Sequence, residues 1–232
     1  MPKDTTSGGS SNPTRQQGEE TVAAAVRVQI LATEHWSLLG TRSTTWAEVM
    51  SRISIHLTVA SAGLVVLALV AQVGGFGTAF DVLSIGLASA VLVLGTLTGV
   101  RVHNASVDDA ALIMGMNRIR AAYVAIDPGL AQYFVASRHD DQAGIMQTYT
   151  MGAARHLLSH VVGSTNMFMN VVNTIVAGAL GALIANAANA SPALIAIVGS
   201  LSSLTYLVVV IAIGLRSFSH TPTDARFPTT PA

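Results

Sequence analysis

Cysteine is absent, so no disulfide and no thiolate nucleophile or ligand enters any account of this chain. Charge is scarce: 10% of the residues are Asp, Glu, Lys or Arg, against about 25% in a soluble domain. The scarcity is uneven. No acidic or basic residue occurs in Ile53–Val73 or in Val82–Val100. No apolar run lies in the polar first twenty residues, so no cleavable signal peptide is expected there and the first span is expected to direct insertion. With 51% hydrophobic residues and a mean hydropathy of +0.55, an ordinary soluble core is excluded too.

What is present is organised around ISIHLTVASAGLVVLALVAQV, the short link GGFGTAFD, and VLSIGLASAVLVLGTLTGVRV. Each apolar run is about 20 residues, the length a helix needs to cross a hydrocarbon core of roughly 30 Å. Residues 53–102 therefore read as a transmembrane helical hairpin, and 163–215 as a second. The fold class follows: all-α, polytopic, four spans. Every basic residue lies before Ile53, between Arg101 and Arg155, or after Leu215, and the links Gly74–Asp81 and Asn186–Pro192 hold none. By the positive-inside rule both termini and the middle segment are expected in the cytoplasm, with the plasma (inner) membrane of a bacterium as the location.

The remaining segments take their roles from this frame. Residues 1–20 and 216–232, rich in Ser, Thr, Gly and Pro, read as disordered cytoplasmic tails. Residues 21–52 carry the stripe Ala24, Val28, Leu31, His35 and Leu38/Leu39 and read as an amphipathic helix on or near the membrane surface. Trp36 and Trp46 are its expected interface anchors. In 103–162, Ser106 with Asp109 reads as a capping box opening a helix. The apolar stripe Leu112, Met116, Ile119, Tyr123 and Ile126 runs to the stop at Pro128 and Gly129. Asp140 and Asp141 open the next helix, expected to reach His160 and run on into the third span.

Catalytic chemistry finds no assembled set. DDAAL and DDQAG lack the further carboxylates of magnesium-dependent membrane transferases, so the chain is expected not to be an enzyme and to need no cofactor. His156 and His160, four apart on one helical face, have a spacing that can hold one metal ion. The zinc-protease pattern would need Glu at 157, where Leu157 stands. His56, one turn inside the first span, reads as a snorkelling or interhelical hydrogen-bonding residue. Gly86/Ala90 and Gly95/Gly99 permit close helix approach.

The third span carries the most suggestive pattern. Asn166, Asn170 and Asn173 share one face, continued by Ala177, Gly181 and Ile184. An amide in hydrocarbon must meet protein or water. Two uses follow: amides hydrogen-bonded between helices, or the lining of a pore. The leading expectation is a homo-oligomeric channel with an asparagine-lined path. The alternative is a non-transporting scaffold whose amphipathic helices recruit a cytoplasmic protein partner. Beyond lipid, further copies and such a partner, nucleic acid is not expected.

ILATEHWSLLGTRSTTW ahead of the first hairpin, and MNRIRAAY with YFVASRHDD after it, resemble a family of uncharacterised four-span integral membrane proteins of high-GC bacteria. That likeness covers residues 27–215 and implies the four-span fold without an activity. The layout from Thr21 to Ile126 is similar to that of SLATT domains, two-span effectors thought to form pores, although this chain adds a second hairpin. That layout implies a pore.

Overall fold

The computed structural model describes residues 13–151, 163–218 and 225–229, and those residues are all-helical with turns and no strand. The helices are α1 (Pro13–Gly74), α2 (Thr78–Ile126), α3 (Gln142–Thr150), α4 (Thr165–Ala187) and α5 (Pro192–Phe218), with a short 3-10 helix at Pro128–Tyr133. Four of them, α1, α2, α4 and α5, are long and apolar enough to span a membrane. The chain is a multi-pass membrane protein.

Two of these helices are much longer than a span. α1 has 62 residues and α2 has 49, about 93 and 73 Å at 1.5 Å per residue. The boundaries expected at 52/53 and 102/103 are not breaks. Neither point carries a Pro or Gly, and the packing repeat runs straight through both. α1 turns His35, Leu39, Arg42, Trp46, Val49, Ile53 and His56 toward α2 at alternating steps of four and three. α2 answers with Val91, Gly95, Thr98, Val102, Ala105 and Asp109, buried at the same steps. A repeat of 3.5 is the seam of a left-handed helix pair. Residues 21–52 are thus a continuation of the first span, correcting the expectation of a separate helix lying on the membrane. Ser106 and Asp109 sit inside α2, correcting their reading as a helix start: Ser106 Oγ donates to Val102 O at 2.9 Å.

The chain turns where its residues require it. α1 ends at Gly75, whose φ of +67° is left-handed and whose N–H returns to Ala71 O at 3.0 Å. α2 stops before Pro128, since a residue preceding proline is pushed out of the helical region. α3 begins at the N-cap Asp141, as the sequence suggested, but ends at Met151 in a left-handed conformation, φ 51°. The expected run to His160 is therefore interrupted at its ninth residue; residues 152–162 lie outside those described. Ser164 caps α4, accepting from Met167 N. Asn189, φ 57°, turns the chain into Pro192 at the first position of α5.

α2 is the central helix, flanked by α1 and α4, with α5 on the far side of α4. Val49, Ile53, Val102, Ala105 and Met169 form a three-helix core, with Trp46 and Leu57 packed on it. Around this level lies a charged layer: Glu48 joins Arg52 at 2.8 Å and Arg101 at 2.7 Å. α4 and α5 approach through small residues. A Cβ on Gly178 would collide with Ser203 Oγ, one on Gly181 with Ser202 Oγ, and one on Gly199 would lie 3.1 Å from Gly178 O. Gly178, Gly181 and Ala182 thus serve close packing and line no lumen within this hairpin.

Candidate functional site

Inside the apolar zone, α1, α2 and α4 bring two polar side chains together. His56 is 2% exposed and Asn173 is fully buried. A Cβ on Gly95 would collide with Asn173 Oδ1 and lie 2.7 Å from His56 Cε1, so glycine there is what admits both groups. At Gly99 a Cβ would make only an ordinary contact with the same amide, 3.6 Å from its Nδ2. Both ring nitrogens of His56 and both polar atoms of Asn173 are buried without a hydrogen-bond partner among the described residues. In a medium without water each such group costs free energy, on the order of 1–3 kcal/mol. Chemically, an imidazole beside a carboxamide can accept, donate and relay a proton to a polar guest.

This placement revises the readings of α4 and His56. Of the three asparagines, only Asn173 meets His56; Asn166 and Asn170 are half-buried on the same side of α4. Asn173 is covered by its own chain and does not look outward toward another copy. His56, 2% exposed, does not snorkel, and among the described residues it has no hydrogen-bond partner on another helix. It sits at a seam position of α1 that turns it into the protein, which the residue's depth alone could not indicate.

Beyond the charged layer lies a site the sequence reading missed. Asp109, 2% exposed, accepts from Arg42 Nε at 2.6 Å, Trp46 Nε1 at 2.8 Å and Tyr149 Oη at 2.7 Å. Burial by itself would raise its pKa, yet the donors and the Arg42 charge together hold it below the ordinary carboxylate value. Tyr149 is pushed well above the usual phenol value, first by burial and then by the carboxylate it serves. Trp46 thus spends its indole N–H on Asp109 rather than on a headgroup. Trp36 is 75% exposed and, because α1 does not bend, lies about 24 Å beyond Arg52 along the helix axis. The signal for Asp109 was its register: it continues the seam of Val102 and Ala105.

A second polar cluster secures the far end. Buried Asn117 donates to His139 O at 2.7 Å and accepts from Thr148 Oγ1 at 3.0 Å and Arg120 at 2.7 Å. Fully buried Asp140 binds Arg118 Nε at 2.7 Å and the backbone N–H groups of Arg226 and Phe227 at 2.9 and 2.7 Å. Asp141 caps α3 through Gly144 N and also takes Thr229 N at 2.6 Å. Burial opposes ionisation of Asp140 most strongly, but Arg118 and the two backbone donors keep its pKa low. Residues 225–229 therefore form an ordered strap on the Asp140–Asp141 pair, which corrects the expectation of a structureless tail across that stretch.

His156 and His160 lie outside the described residues. Among the described residues no three His, Cys, Asp or Glu side chains gather as a metal-binding group. No protein-family model matches the chain, and no curated protein or solved structure matches it.

Proposed function

We propose that this protein is a membrane scaffold: four spans anchor a stiff helical stalk that carries a docking surface for a soluble partner. The observation that carries it is the unbroken passage of α1 and α2 from the apolar zone into a polar region clamped by Asp109, Asn117 and Asp140. Helices locked this way hold the extramembrane end at a set height and angle over the bilayer. The distribution of basic residues supports a cytoplasmic stalk, with both termini on that side of a bacterial inner membrane.

The expected partner face also shifts. The stripe Met116, Ile119 and Leu112 is spent on the internal core or half-covered. Exposed apolar groups lie instead at the stalk tip, on Ile126, Tyr133 and Val135, next to exposed Arg138. Full-length protein in nanodiscs should retain a partner from the cytosol and lose it in Tyr133→Asp/Val135→Asp, with unchanged thermal unfolding. Capture indifferent to that change sinks this reading.

The homo-oligomeric channel is the second reading, in the form of one path in each protomer, favoured by the four unpartnered polar atoms of His56 and Asn173 and by the SLATT-like layout. Because Asn173 is covered by its own chain, any path it serves runs within a protomer. Proteoliposomes should then pass protons or small solutes, and Asn173→Leu should stop the flux while the fold survives. No flux in wild type removes the channel and leaves the scaffold.

A further inference from the structure

α1 has a second seam, on the face turned away from α2. Read from Ala23 to Ala68 at alternating steps of three and four, its residues spell A-V-I-T-S-G-T-A-S-S-T-S-V-A, and all of them are exposed. The repeat is again 3.5, it crosses the charged layer without a break, and it contains no charged residue. A helix face in water ordinarily carries charge. Here the charges between Ala23 and Ile53, Arg27, Glu34, Arg42, Glu48 and Arg52, all lie beside or behind this face, while Val26 and Ile30 on it are 52% and 64% exposed. Val26 and Ile30 lie about 39 and 33 Å beyond Arg52 along the unbent α1, outside the bilayer that the apolar stretch after Ile53 is long enough to span.

Two shallow, wide-open depressions lie on this face. One is lined by Val26, Gln29, Ile30 and Thr33, with Glu34 at its edge. The other is lined by Thr58, Ser61, Ala62 and Val65, with Leu57 at its edge. In heptad terms, with Ala23 at an a position, these quartets are d-g-a-d and a-d-e-a. They are the holes that receive an a knob and a d knob from a parallel partner helix.

We infer that two copies of this chain associate through these seams, α1 against α1, parallel and in register. The occupant must be a helix that follows one 3.5 repeat from the bilayer far into water, and α1 of a second copy has that length and repeat. Membrane insertion makes the two copies parallel, so each residue faces its own counterpart. Across the seam the flanking pairs are Gln29 with Glu34, Trp36 with Thr41 and Ser43 with Glu48, and none joins like charges. Small side chains let the backbones approach inside the bilayer, where close packing and hydroxyl hydrogen bonds drive association. The strip is about 68 Å long and about 10 Å wide, close to the roughly 800 Å² per partner of a standard specific interface. The contact holds for either reading of function.

The natural absence of cysteine makes the test direct. Single variants of the full chain, Ala23→Cys, Ser37→Cys, Ser54→Cys and Ser61→Cys, are oxidised with copper phenanthroline in the membranes of expressing cells. Ala24→Cys and Val66→Cys, exposed but off the seam, serve as references. Seam positions should give a disulfide dimer at least tenfold above the references. Equal yields, no dimer, or a product of other mass, meaning a different chain sits there, overturns the proposal. Independently, wild-type protein in nanodiscs should have twice the 24.0 kDa chain mass, and Ser37→Glu/Thr44→Glu, at surface positions of the protomer, should halve it. A monomeric wild type, or a dimer untouched by those charges, also overturns it.

Discussion

The stalk and the membrane zone both bury polar side chains, and they treat them in opposite ways. Asp109, Asn117 and Asp140 are saturated: each meets two or more donors or acceptors from different segments of the chain. His56 and Asn173 both lie against Gly95, with no hydrogen-bond partner for four polar atoms among the described residues. A saturated network in a region of low dielectric is a fastening, because removing one member strands the rest. An unsaturated pair fastens nothing and costs stability. Its retention in a well-packed seam has to be explained by what it does rather than by what it holds.

The sharpest way to break this contrast is to remove one member of each region. Asp109→Leu leaves the Trp46 and Tyr149 donors without an acceptor, and should destabilise the protein by about 1–3 kcal/mol for each of them, whereas Arg42, 36% exposed, can turn to water. Chemical unfolding followed by stalk proteolysis reads this out, and a change below 1 kcal/mol would erase the distinction between the two sites. Acid acts on the same fastening. Asp109, Asp140 and Asp141 have folded pKa values below the ordinary 3.8. Their contribution is therefore complete above about pH 4 and is lost as the pH falls through the depressed folded values. The protection of the Arg226, Phe227 and Thr229 amides, as exchange relative to the intrinsic rate at each pH, should fall below that pH and stay flat between pH 5 and 7.

Smaller effects sharpen the membrane side. Gly95→Ala places a methyl group onto Asn173 and His56, and should cost about 1–3 kcal/mol as an overpacked seam. Ala at Gly86, which has open space around it, should cost less than Gly95→Ala in the same assay. Smallest of all should be Asn173→Leu, within about 1 kcal/mol of wild type or slightly stabilising, since no hydrogen bond is lost. A large loss there would mean that Asn173 is a fastening after all.

Much of this could be read without the structure, and specific residues show where reading stopped. The four apolar helices, the glycine turn after α1, the stop at Pro128 and the cap at Asp141 are local features, and each appears where the sequence pointed. Asp109 and Asp140 misled because an acidic pair after a polar residue is the same locally whether it opens a helix or closes onto a distant arginine. Arg42 stands 67 residues from Asp109, and Phe227 stands 87 from Asp140. No window of sequence contains both partners.

The sequence by itself determined that this chain is helical and crosses a membrane four times. Apolar length and the need to satisfy every backbone group within hydrocarbon leave no other solution. Only the tertiary structure decided which polar residues are fastened and which are left open. Hydrogen bonding is short-ranged and directional, so a side chain's role depends on which face of a neighbouring helix meets it. That choice was made by the 3.5-residue seam of α1 and α2, which sets Asp109 among three donors and His56 beside an amide it does not bond.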